Sequence, residues 1–151
     1  AVRLLADAIP ELRIRFVNVV DLMRLQPSAE HPHGSSTADF DAVFTTNKPV
    51  IFAFHGYPTL IHQLAYRQTN HGNLHVRGFK EKGTTTTPFD MLMMNDLDRF
   101  RLAMDVIRRV PGLEERYGSL SVHFSDERAR LRAYAYENLE DSPDVTGWAW
   151  L

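Results

Sequence analysis

In "AVRLLADAIPELRIRF" the apolar positions Val2, Leu4, Leu5 and Ile9 return at helical spacing, and Pro10 stops the pattern. The chain opens inside that helix and is therefore expected to be cut from something longer. Residues 13–20, "RIRFVNVV", first alternate and then run nearly all apolar, which predicts a strand. "QPSAEHPHGSS" then reads as a loop. Ser36 and Asp39 stand three apart as in a capping box, ahead of a short helix with Phe40, Val43 and Phe44 on one stripe.

Residues 49–54, "PVIFAF", form a continuous apolar run, the pattern of a central strand buried on both faces. Pro58 opens a helix whose one side is Leu60, Ile61, Leu64 and Ala65. A third strand is expected over Leu74–Phe79. Thr87 then caps a helix with Pro88 at its first position and Asp90 three past the cap. Asn95 reads as a second cap, with Asp98 at its third position, for a helix that runs to Pro111-Gly112. Its buried face is Met93, Leu97, Phe100, Met104 and Ile107. A last helix is expected from a Ser125 cap to about Glu140, presenting Leu131, Tyr134, Ala135 and Leu139, and "VTGWAWL" shows no helical period. Helices alternating with strands predict an α/β domain with a mainly parallel sheet. All 151 residues fit one domain, with 111–124 as a looser join before the last helix.

Composition narrows the function classes. The chain is 44% hydrophobic and 24% charged, ordinary for a globular protein. A formal net charge of -2 gives no field for gripping nucleic acid or anionic lipid. No apolar run approaches the roughly 20 residues that cross a bilayer, so no membrane partner is expected. The absence of cysteine excludes disulfides and thiol catalysis and accords with a cytoplasmic location.

The densest chemistry lies in "HGNLHVRGFKEKGTTTTPFDM", residues 71–91. Gly78 and Gly83 are spaced as in a phosphate-binding loop, but Thr84 stands where that loop needs lysine. A weaker reading keeps Lys80, Lys82, Thr84 and Thr85 as an anion or interface patch beside a helix start. His71 and His75 are four apart, yet Gly72-Asn73 intervene and a strand follows, so they share no helical face for a metal. His55 ends a predicted strand beside Gly56. Strand carboxyl ends are where α/β sheets collect ligands, and they are expected to bring Asp21, His55 and Lys80 to one rim. Capping and ion pairing account for those three as well as acid–base work does. "DERARLR", residues 126–132, reads as a solvated helix face with an Asp126–Arg130 pair. The methionines 91, 93 and 94 read as core filling.

"RFVNVVDLMRLQP", "DFDAVFTTNKPVIFAFHGYPTLI", "NLHVRGFKEKGTTTTPFDMLMMNDLDRFRL" and "PDVTGWAW" together resemble the C-terminal domain of the xylulose 5-phosphate/fructose 6-phosphate phosphoketolases. The resemblance runs from about Arg13 to Trp150. It implies a three-layer α/β/α fold, like the transketolase C-terminal domain, with a mixed, mainly parallel sheet whose first strand is missing from this chain. It implies a parent aldehyde-lyase that is a dimer, with thiamine diphosphate and magnesium held by two preceding domains that would be this domain's partners. The family's Gly-Asp-Gly motif is absent, so the resemblance carries no catalytic, cofactor-binding or metal residue onto this chain. The expected role is a structural and interface domain, inactive alone. The alternative is a regulatory anion- or nucleotide-binding module, in which His55, Lys80, Lys82, Thr84 and Thr85 are the candidates.

Overall fold

The structure is a computed structural model and describes residues 1–149. It is an α/β chain: seven α-helices and two parallel strands among the described residues. Two compact units emerge, one from residues 1–14 with 80–151 and one from residues 15–79.

The unit of residues 15–79 is built around β1 (Val50–Ala53) and β2 (Leu74–Arg77), joined by α3 (Pro58–Ala65). The strands pair in parallel with Val50 opposite Leu74 and Ala53 opposite Arg77. Val50, Phe52, Phe54 and Val76 pack with Leu25, Phe40, Ile61, Leu64, Ala65 and Leu74. That set takes every second residue of the run, so one face of β1 is covered while Ala53 is exposed. The expectation of a strand buried on both faces is thus corrected. α2 (Thr37–Phe44) starts as read: Ser36 Oγ accepts from Asp39 N (3.1 Å) and donates to the Asp39 carboxylate (2.7 Å). Phe40 and Phe44 stack at 4.6 Å, while Val43 turns outward.

The predicted strand over 13–20 does not form. Phe16 and Val20 are 67% and 89% exposed, and no described residue supplies a second strand for a ladder. Instead Arg15 Nη1 donates to the carbonyls of Ala42 (2.5 Å) and Val43 (2.9 Å), at the last turn of α2. Alternation alone makes no strand without a neighbour to hydrogen-bond.

The other unit is helical. α1 (Val2–Ala8) buries Leu5 and Ile9 against α4 (Pro88–Met94), α5 (Arg99–Arg109) and α6 (Leu113–Asn138) in a core with Phe89, Met93, Phe100, Ala103, Ile107, Phe124 and Leu131. Phe100 and Phe124 meet at 5.8 Å across α5 and α6. Asn95 is not an N-cap; it ends α4, and Asp98 caps α5 by accepting from Phe100 N and Arg101 N, both at 3.0 Å. The stretch expected as a looser join is helical from Leu113 onward but broken by a kink at Tyr117 (φ -125, ψ 20), and Ser125 lies inside α6 rather than at its start. Gly112, at φ 78, supplies the left-handed residue that turns the chain from α5 into α6. Leu139 is the left-handed residue after α6 and is 86% exposed, not core. A short helix, α7 (Pro143–Thr146), follows a Ser142 cap, where no helical period was legible. The Trp150 end of the "PDVTGWAW" signature lies outside the described residues.

Candidate functional site

The loop from Lys80 to Thr87 is stitched to the ends of α4. Asn95, buried at the C-terminal end, accepts from Lys80 N (2.9 Å) and donates through Nδ2 to the carbonyls of Lys82 (2.9 Å) and Met91 (3.0 Å). A primary amide can satisfy a backbone N–H and a carbonyl at once, which is why one Asn fixes both ends of a three-residue turn. Lys80 Nζ forms an ion pair with Asp96. At the other end, Thr87 Oγ1 accepts from Asp90 N (3.3 Å), the cap read from the sequence.

The first turn of α4 already faces protein anions. Asp141 Oδ2 accepts from Phe89 N (3.1 Å). The fully buried Asp90 accepts from Thr86 Oγ1 (2.8 Å) and from Arg132 Nε (2.8 Å). A helix start favours negative charge, and here two carboxylates of the chain provide it. Lys82, Thr84 and Thr85 remain exposed, and no described residue hydrogen-bonds their side chains.

Behind the loop lies a charge network that sequence reasoning missed. Arg128 donates from Nε to Asp98 (3.0 Å) and from Nη2 to Asp96 (2.9 Å) and to the Met93 carbonyl (2.8 Å). Arg101 approaches Asp96 at 4.0 Å and Asp105 at 3.8 Å. Burial pushes the Asp96 carboxyl up. The hydrogen bond from Lys80 and the charges of Arg101, Lys80 and Arg128 outweigh it, so the pKa lies below the usual carboxylate value. Residues 126–132 are therefore not simply a solvated face: Arg128 and Arg132 reach buried acids, and Arg130 pairs with Glu127 and Asp144 (2.9 Å each) rather than Asp126. The available signal was three aspartates, Asp90, Asp98 and Asp105, eight and seven residues apart among apolar core positions, where unpaired acids are too costly to bury.

His55 and Asp21 belong to the unit 15–79. His55 is exposed after β1, with its ring edge-on to Phe79 at 4.8 Å. Phe79 is held beneath it by its amide on the Gly56 carbonyl (2.8 Å). Gly78 permits this approach; a Cβ there would come within 2.3 Å of the same carbonyl oxygen. Asp21 precedes a 3-10 turn over Leu22–Leu25 and accepts from Met23 N (2.9 Å), and His33 Nδ1 lies 3.0 Å from its other oxygen. The Met23 amide and then the His33 contact hold its carboxyl below the usual value, with burial opposing. Since 13–20 forms no strand, Asp21 does not end one, and the premise that put it on a rim with His55 and Lys80 fails. Lys80, Lys82, Thr84 and Thr85 lie in the other unit, where Asn95 brings the backbones of Lys80 and Lys82 together. Among the described residues no three His, Asp or Glu side chains gather as a metal set, and no helix is long and apolar enough to cross a membrane.

Comparison with known proteins gives a consistent result. The model of the XFP C-terminal domain matches residues 1–150. The chain is 59% identical over 150 residues to a probable phosphoketolase of Nocardia farcinica, covering 99% of this chain and 18% of that protein. It is 57% identical to probable phosphoketolase 2 of a Nostoc species and 59% identical to a probable phosphoketolase of Nitrosospira multiformis, with 19% of each covered. The chain thus spans less than a fifth of the length of these relatives.

Proposed function

Since the chain belongs to the XFP C-terminal domain family, we propose that it is the packing and interface domain of a phosphoketolase and takes no part in the chemistry. The parent enzyme, on this reading, is a cytoplasmic dimeric aldehyde-lyase. It cleaves xylulose 5-phosphate or fructose 6-phosphate with phosphate, giving acetyl phosphate and an aldose phosphate. Thiamine diphosphate and magnesium belong to the two preceding domains. The two parallel strands are the portion, in this chain, of a three-layer α/β/α sheet that is mixed and mainly parallel, with its first strand upstream.

The observation that carries the reading is where the charged groups of the described residues go. Asp90, Asp98 and Asp96 are matched to Arg132, Arg128 and Lys80 inside the fold. Carboxylates engaged by guanidinium and ammonium groups are not ligands in waiting for a magnesium–diphosphate group, so these three aspartates do not fit that group, which supports the reading. Titration of the chain with thiamine diphosphate and magnesium, followed by calorimetry, tests this. No saturable binding is expected, and micromolar binding would overturn the reading.

The regulatory alternative rests on the exposed Lys82, Thr84 and Thr85. A nucleotide or sugar phosphate should then raise the melting temperature of the chain, and Lys82→Ala should abolish the rise. Asp141 and Asp90 at the same helix start oppose it.

A further inference from the structure

The unit 15–79 carries a depression of about 340 Å3 lined by Thr59, His62, Gln63, Tyr66 and His71. His62 projects from α3, and His71 opens a 3-10 turn over His71–Asn73. Their ring centroids lie 5.9 Å apart with the planes at 88°. The spacing that separates His71 from His75 in sequence hid its actual neighbour, which arrives from nine residues upstream.

Three features make this pair a candidate for metal binding. First, no described residue hydrogen-bonds either ring, so the nitrogens are uncommitted. The HPH loop differs, since His33 Nδ1 contacts Asp21 and His31 Nδ1 accepts from His33 N. Second, the separation fits. A zinc ion at its usual distance of about 2.0–2.1 Å from nitrogen sits about 3.2 Å from each ring centroid, so a shared ion allows separations up to about 6.4 Å and prefers about 5.2 Å when tetrahedral. At 5.9 Å the pair lies between those two values. Third, both rings stand on fixed elements: α3 is anchored by the buried Ile61, Leu64 and Ala65. Beside His71, Asn70 donates to the carbonyls of Phe44 (3.0 Å) and Lys48 (2.9 Å).

We propose that His62 and His71 form a two-imidazole site for a borderline divalent cation of the Zn2+ class, with water filling the remaining positions. No carboxylate lines the depression, which disfavours magnesium and calcium, ions that require oxygen donors. Metal binds the neutral imidazole, so occupancy falls as the solution is acidified.

The test is titration of the chain with zinc chloride alone, followed by nitrogen-15 signals of the histidine rings. Two rings should shift together with one ion per chain, and His62→Gln or His71→Gln should weaken retention at least tenfold. The melting temperature measured without metal controls for folding in both variants. His31→Gln with His33→Gln, at the other histidine pair, should leave retention unchanged. The proposal is overturned if both single variants keep wild-type affinity, if the HPH variant loses as much, or if no ring responds to submillimolar zinc. It is equally overturned if magnesium competes at equal concentration.

Discussion

Replacing Arg128 with Met should be among the most damaging single changes at a residue that is not apolar. Its side chain is 19% exposed and that of Asp98 is fully buried. The substitution removes bonds to Asp98, Asp96 and the Met93 carbonyl and leaves the Asp98 carboxylate with the Phe100 and Arg101 amides as its hydrogen-bond donors and the charges of Arg99 and the Ala1 ammonium. Stranding one member of a buried pair costs about 3–5 kcal/mol. The two amides and the positive end of α5 still favour a charge on Asp98, which argues for the lower end, about 3 kcal/mol. For a chain of this size that is a fall of about 6–12 °C in Tm. Urea unfolding with matched slopes gives the free energy, with Arg130→Met as the control. Arg130 is exposed, so losing its pairs should cost no more than about 1 kcal/mol. Adding Asp98→Asn to Arg128→Met removes the stranded charge and keeps an acceptor for the cap. The double variant should recover at least about 1 kcal/mol over Arg128→Met. If Arg128→Met costs no more than Arg130→Met, or the second change deepens the loss, the network does not hold the helices in the way the distances indicate.

Asn95→Ala should cost about 2 kcal/mol by leaving Lys80 N and the Lys82 carbonyl unmatched, and hydrogen exchange at Lys80 should accelerate selectively. Gly78→Ala should destabilise by about 2 kcal/mol or more through contact with the Gly56 carbonyl, whereas Gly72→Ala, with open space around it, should fall within about 0.5 kcal/mol of wild type in the same unfolding assay. The depressed pKa of Asp96 means that its unfolded form binds a proton first as pH falls. Its stabilisation is thus complete at neutral pH, begins to fall near the ordinary carboxylate value of about 4, and is lost as pH passes below the depressed folded value. The gap in urea midpoint between wild type and Lys80→Met should be narrower at pH 3 than at pH 7; a constant gap would exclude the linkage.

Local grammar was legible. Ser36 and Thr87 cap where the spacing says they should, Pro58 and Pro88 sit at helix starts, and "VIFA" and "LHVR" are strands. The caps and helix starts are each decided within four residues of themselves, and the two strands find one another across 24 residues. What failed was decided by partners further away. Residues 13–20 have strand composition, but a ladder needs a second chain segment, and the arginine in their midst is engaged by α2 instead. Asn95 and Asp98 were exchanged in role because both can cap. The choice was made by Arg128, 30 residues beyond Asp98, and by the loop at Lys80 and Lys82. Ser125 resembled a helix start because a serine ahead of a helical run has a cap's composition, whereas α6 passes through it and kinks at Tyr117 instead.

The same distinction bears on the site. Lys80, Lys82 and the threonines looked like a phosphate cradle because a glycine-flanked basic loop before a capped helix is what such a cradle requires locally. Whether that geometry is offered to a ligand depends on what the rest of the chain brings to it. Here Asp141, 52 residues from Phe89, takes the helix amide, and Asn95 and Asp96 take the loop's backbone and its first lysine. Anion-binding machinery filled by the protein's own carboxylates becomes a fastening between loop and helix. That is the physical reason a motif-dense stretch can fasten a loop to a helix instead of holding a ligand.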